Sequence, residues 1–262
     1  MDGFSWIDLL VVILIVAALL GLLLPPLLGS TKLGRRTACL NHLRQLQTAN
    51  ILYAGDHQDQ LVANEYLYDA RNTNAPLQTG ASWCPGNVRR DVDTSNIERG
   101  ALFPYHQSVA IYRCPSDTGR VPLPDGGSVP RTRSYNLSIW LNTKPQVLGS
   151  YTHLSEIRDP APSDCFSFID VQEDAIEDPT FGLYPYESRL GKAWLDLPAD
   201  RHQQGANLAF VDGHAEHWRW KAPKIFVQFV QPPRRTDGDF DDFRRLQSAI
   251  PTWKTIRDRG GH

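Results

Sequence analysis

The chain has 262 residues, of which 41% are hydrophobic, so it is long enough to bury a substantial core. Its formal net charge of -2 at pH 7 shows no basic excess, which argues against nucleic acid as a partner. Its four cysteines form no CxxC pair, which disfavours both a zinc ribbon and a thioredoxin-like centre.

A long apolar run opens the chain. From Leu9 to Leu28 there is no charged or hydrogen-bonding side chain, and a helix of this length rises about 30 Å, the thickness of a bilayer core. The run therefore predicts a transmembrane helix over residues 4–29. A cleaved secretory signal peptide and a buried helix of a soluble protein are the alternatives.

An amphipathic pattern follows the apolar run. Beyond Lys32, apolar residues recur mostly three and four positions apart, while arginines occupy the other faces. We expect the helix to continue over residues 30–54 and to pack on a globular head formed by residues 55–262. Gly55 is a suitable stop signal.

The remainder of the chain is rich in turns. Its many proline, glycine and aromatic residues predict short strands joined by loops, so we expect a β-rich, loop-rich head. Two Cys-Pro sequences, beginning at Cys84 and Cys114, are typical of turns. In an oxidising compartment these two cysteines could form a disulfide, and a pair of free buried thiols is the other interpretation.

An acidic stretch follows the strand-like sequence CFSFIDV at 165–171. It contains Glu173, Asp174, Glu177 and Asp178, and carboxylates grouped in a loop can bind calcium. Their spacing does not match an EF-hand loop, so a solvated acidic loop is the simpler interpretation.

Two strand-like runs flank Asp212-Gly213 within NLAFVDGHAEHWRW, which predicts a hairpin over residues 202–220. We expect His202, at the start of this segment, to bond back to the turn and help dock the hairpin. A metallohydrolase would use a different grouping, with His202, Asp212, His214 and His217 as ligands. However, His214 and His217 would point to opposite faces of a strand.

Two of these motifs resemble a known family. The start GFSWIDLLVVILIVAALLGLLLPPL is similar to the cleavage and methylation signal of type IV pilins and pseudopilins, and His202 stands nine residues before Asp212-Gly213, as in the H-x9-DG signature of pilin-like proteins. The resemblance implies an α+β fold: a long N-terminal helix, with a transmembrane lower half and an amphipathic upper half, packed on a β-rich head.

The resemblance also implies a function. A prepilin peptidase would cleave after Gly3, removing a leader of residues 1–3, and Phe4 would become the methylated N-terminus. Asp8 occupies the position where the family usually has Glu, and it would pair with the Phe4 ammonium of a neighbouring subunit. The chain would be a non-enzymatic subunit of a type IV pilus or type II secretion pseudopilus, without a cofactor, associating with other pilin-like subunits.

The implied location is the bacterial inner membrane, with a single pass and an exported head that reaches the cell surface or a periplasmic filament. Two other functions remain open on the sequence alone. One is a monomeric, membrane-anchored binding module that uses the helix only as a tether. The other is a metal-dependent hydrolase built around His202.

Overall fold

The computed structural model describes residues 6–65, 82–144 and 147–261, and does not describe the side chains of residues 7, 8 and 17–31. The first helix, α1, spans Trp6–Asp56. Its C-terminal part is amphipathic, and Leu43, Leu46 and Ala49 are buried on the face that packs against the head. Burial of this apolar stripe is what joins the helix to the head.

The sequence-based prediction of a transmembrane lower half was wrong. Within the described residues, no helix is long and apolar enough to cross a membrane. The described apolar side chains at the start of α1 run from Leu9 to Val16. The predicted single-pass location in the inner membrane conflicts with the same finding. The fold class is therefore corrected to an α+β fold centred on a sheet.

A five-stranded sheet forms the middle of the head. Its strands are β4 (Tyr135–Ser138), β6 (Phe166–Asp170), β7 (Thr180–Phe181), β8 (Gly205–Phe210) and β9 (Ala215–Arg219). Their order across the sheet is β7-β4-β6-β8-β9. Neighbours pair antiparallel, except that β4 and β7 are parallel. Tyr135 pairs with Asp170, which brings the start of β4 beside the end of β6.

Smaller elements surround this sheet. The remaining strands are β1 (Asn64–Glu65), paired in parallel with β5 (Thr143–Lys144), and the hairpin of β2 (Arg120–Pro122) with β3 (Ser128–Pro130). The remaining helices are α2 (Ser95–Glu98), α3 (Asp239–Gln247) and α4 (Trp253–Asp258), with 3-10 turns at Phe103–Tyr105, Val109–Tyr112 and Leu154–Glu156.

The sheet is covered on both faces. On one face α1 packs against β8, β9 and β6, and Leu43, Phe168 and Ala209 belong to the same apolar cluster. On the other face Leu208 packs with Phe243 of α3 and other buried side chains of the C-terminal segment. Because successive residues of a strand point to opposite faces, β6 and β8 contribute side chains to both clusters.

Candidate functional site

The first candidate surface is the beginning of α1. Every residue from Leu9 to Val16 is exposed, with fractions between 42% and 73%. Eight successive residues extend around the whole circumference of a helix, so this apolar segment has no polar face. A helix that is hydrophobic all round is normally buried, and a large exposed apolar patch indicates an interaction site.

The residues predicted for processing and assembly precede this segment in the sequence. Gly3 and Phe4 are outside the described residues, and Asp8 belongs to α1 but its side chain is not described. Cleavage after Gly3 and pairing of Asp8 with an N-terminal ammonium stay predictions from the sequence.

The Asp212-Gly213 pair lies in the turn between β8 and β9. Gly213 has a φ of +102°, a conformation that favours glycine. Asp212 accepts hydrogen bonds from the backbone N–H of His214 at 3.1 Å and from its ring at 2.6 Å. Gln47 of α1 donates to the carbonyl of Val211 at 2.8 Å, so the turn also contacts α1.

His202 does not bond back to that turn. Its side chain is buried, with Nε2 3.1 Å from the sulfur of Cys114 and 3.6 Å from Oδ2 of Asp170. His217 instead bonds to the side chain of Asn207 at 3.0 Å. The hydrolase ligand set of His202, Asp212, His214 and His217 is therefore not assembled.

A buried cluster surrounds His202. It consists of Cys39, Cys114, Asp170 and His202, whose potential ligand atoms all lie within 4.8 Å of one another. Across the described ranges, this is the one group of three or more His, Cys, Asp or Glu side chains placed to hold a metal ion. Sequence reasoning considered His202 as a ligand in a different set and Cys114 for a disulfide with Cys84, but it missed Cys39 and Asp170.

Four separate parts of the chain position this cluster. Cys39 lies on the buried face of α1, and Asp170 ends β6. Cys114 follows the 3-10 turn Val109–Tyr112, and His202 precedes β8. The strand pairing that places Tyr135 opposite Asp170 also places the Tyr135 hydroxyl 3.2 Å from the sulfur of Cys39, to which it donates.

Arg201 supplies a positive charge next to the cluster. Its Nη1 lies 3.0 Å from Oδ1 of Asp170 and 3.5 Å from Oδ2 of Asp117, and all three side chains are at least nine-tenths buried. Burial by itself lowers the pKa of Arg201, but Asp170 and Asp117 raise it above the ordinary value. The guanidinium is therefore charged and fixed in place.

The two cluster thiols differ electrostatically. Burial strongly raises the pKa of Cys39. Burial also opposes ionisation of Cys114, but hydrogen bonds from Cys39 and His202, together with the charge of Arg201, lower its pKa to about 4. Cys114 is therefore predisposed to be a thiolate.

The disulfide considered from the sequence is not formed. Cys39, Cys84, Cys114 and Cys165 are all free and buried. Cys114 belongs to the cluster, whereas burial raises the pKa of Cys84 to about 12. Cys84 is thus a thiol packed in the core.

The acidic stretch considered for calcium bonds to nearby protein groups. Glu173 pairs with Arg201 at 3.2 Å, and Glu177 accepts from Asn87 at 3.2 Å. Asp178 accepts from the backbone N–H of Thr180 at 2.8 Å. The carbonyl of Asp174 accepts from Arg89. The acidic stretch is therefore held by contacts with neighbouring protein groups.

Comparison with known proteins found no matching family model, curated protein or solved structure. The likeness to pilin-like proteins therefore stays a resemblance of two sequence motifs.

Proposed function

We propose that this chain is a structural, pilin-like subunit that is processed after Gly3 and assembles with other copies of itself through the apolar segment of α1. The observation that carries the proposal is the exposure of all eight residues from Leu9 to Val16. Burying a Val, Leu or Ile side chain contributes about 1.5 kcal/mol or more. Covering the segment would then be worth on the order of 10 kcal/mol before the costs of association.

The head of the same chain is poorly placed to cover this segment. Among the described side chains, the hydrogen bonds between α1 and the head begin at Arg36, whose side chain bonds to Gln203 and whose carbonyl accepts from Asn207. Val16 precedes Arg36 by ~20 residues, which is about 30 Å along a helix. We therefore assign the partner surface to a second chain.

Another copy of this chain suits that role, because it brings an identical apolar segment. Helices that are hydrophobic all round can pack together in a bundle and remove each other's surface from water. The proposal agrees with the assembly implied by the N-terminal motif, and it needs no catalytic group.

The proposal can be tested with a matched pair of lysine substitutions in one helix. Leu14 and Leu52 are 73% and 50% exposed, so a lysine at either position should leave the folded subunit intact. Leu14→Lys places a charge within the apolar segment, and we expect it to abolish filaments or oligomers because an unpaired charge is costly to bury. Leu52→Lys should assemble like the parent.

Electron microscopy and sedimentation of the full chain measure this difference. Circular dichroism of both variants checks that each subunit is folded. If Leu14→Lys assembles as well as Leu52→Lys, the apolar segment is not the assembly surface and the proposal is wrong.

A further inference from the structure

We propose that Cys39, Cys114, Asp170 and His202 form a structural site for a thiophilic divalent cation, with Zn²⁺ as the best match. The site would join α1 to the head, and it does not depend on the proposed assembly function. Two sulfurs, an imidazole and a carboxylate oxygen are a ligand set that zinc accepts in tetrahedral sites.

The distances between these side chains suit a tetrahedral ion. Zinc lies about 2.0–2.3 Å from its ligands, which places the ligand atoms of a tetrahedron roughly 3.3–3.8 Å apart. Cys114 Sγ is 3.1 Å from His202 Nε2, and Asp170 Oδ2 is 3.6 Å from His202 Nε2 and 3.7 Å from Cys39 Sγ. No pair exceeds 4.8 Å, so small side-chain movements would complete the geometry.

Neighbouring groups already orient the ligand atoms. Arg201 binds Oδ1 of Asp170, which leaves Oδ2 directed at the cluster. The backbone N–H of Ser116 donates to the sulfur of Cys114 at 3.4 Å, and the Tyr135 hydroxyl donates to the sulfur of Cys39 at 3.2 Å. Such outer contacts hold the ligands of metal sites in position.

The protein charges around the site favour a cation. Asp170 and Asp117 face Arg201 within the same buried region. With both sulfurs bound as thiolates, the site holds two thiolates and two carboxylates beside one guanidinium. The two positive charges of Zn²⁺ are therefore compensated by buried negative charge.

A cleft of about 310 Å³ lies beside His202. Its lining includes residues of the head and of α1: Ser116, Arg201, His202, Gln203, Lys32 and Arg36. The ligand residues are themselves buried, with His202 3% exposed. Four protein ligands and this burial match a closed, structural site, whereas a catalytic zinc keeps one position open.

Metal analysis of the purified full chain tests the site. After equilibration with Zn²⁺ and removal of free ions, elemental analysis should find one equivalent of zinc per chain. Replacement by Co²⁺ should give the visible absorption of tetrahedral cobalt bound to thiolate. Cys39→Ser and Cys114→Ser should lose the bound metal, whereas Cys84→Ser and Cys165→Ser remove equally buried thiols outside the cluster and should retain it.

A second variant avoids the ligands themselves. Tyr135→Phe keeps the aromatic ring but removes the hydroxyl donor to Cys39, and it should weaken zinc binding roughly 10- to 100-fold. A parent chain that binds neither zinc nor cobalt overturns the proposal, as does equal loss of metal from all four cysteine variants. Metal content is measured on unassembled subunits. A chain that binds no metal therefore leaves the assembly proposal standing, and a chain that does not assemble leaves the metal-site proposal standing.

Discussion

A buried lysine in the C-terminal part of the chain supports a quantitative prediction. Lys224 is fully buried at its side chain, and its Nζ lies 2.9 Å from Asp239 and 2.7 Å from Asp242 of α3. Removing one partner of a buried ion pair costs about 3–5 kcal/mol, because the remaining charge stays buried without compensation. Lys224→Met should therefore lower the free energy of unfolding by about 3–5 kcal/mol.

Lys221 provides the matched control. Its Nζ lies 2.8 Å from Asp241 of the same helix, a similar distance, but the two side chains are 66% and 61% exposed. Solvent screens such a pair, so Lys221→Met should leave the stability essentially unchanged. Urea unfolding followed by tryptophan fluorescence compares the two variants with the parent.

The expected difference between Lys224→Met and Lys221→Met arises from the burial of the ion pair, since the two pairs have similar distances. In the Lys224→Met background, Asp239→Asn together with Asp242→Asn should recover part of the loss, because they remove the uncompensated charges. If Lys224→Met and Lys221→Met change the unfolding free energy equally, the assignment of α3 as a docked part of the core is wrong.

Three further predictions concern the turn, pH and assembly. Gly213→Ala should lower the free energy of unfolding by about 1–2 kcal/mol, because Gly213 has a φ of +102°. Gly55→Ala within α1 should raise the free energy of unfolding by about 0.5–1 kcal/mol. Equal urea midpoints for the two variants would contradict this. Burial lowers the pKa of His106 from 6.5 to about 4. Between these two pH values the unfolded chain binds more protons than the folded chain, so the free energy of unfolding should fall as the pH is lowered from 6.5 to about 4. His106→Gln should flatten this fall in urea titrations, and an unchanged slope would refute it. Asp8→Ala should reduce the number of filaments seen by electron microscopy, whereas Asp8→Glu should retain them. If both variants assemble equally well, the carboxylate has no role in assembly.

Local patterns were sufficient for part of this fold. The turn at Asp212-Gly213 could be predicted because glycine tolerates positive φ and the flanking runs have strand character. The buried face of α1 could be predicted because Leu43 and Leu46 follow the period of a helix. Both features depend on residues close together in the sequence.

The buried cluster could not be predicted in this way. Cys39, Cys114, Asp170 and His202 are far apart in sequence, and they meet only because α1 packs on β6 and β8. The absence of a CxxC pair argued against a metal site, but cysteine spacing reveals only ligands that are neighbours in sequence. These four residues are brought together by tertiary packing instead.

The transmembrane expectation failed for a different reason. It rested on hydropathy from Leu9 to Leu28, but hydropathy measures a preference for an apolar environment and does not say which environment supplies it. Among the described residues no helix could cross a membrane, and the exposed apolar side chains at the start of α1 are those from Leu9 to Val16. The proposal of assembly uses this stretch alone.

Site-specific photocrosslinking within native assemblies is the most direct test of the central claim. A photoreactive amino acid at Leu14 should link chains into a ladder of multimers, because this position would be enclosed by other copies. The same probe at Leu52 should give mostly single chains. A ladder from Leu52 with none from Leu14, or single chains from both, would contradict assembly through the apolar segment of α1.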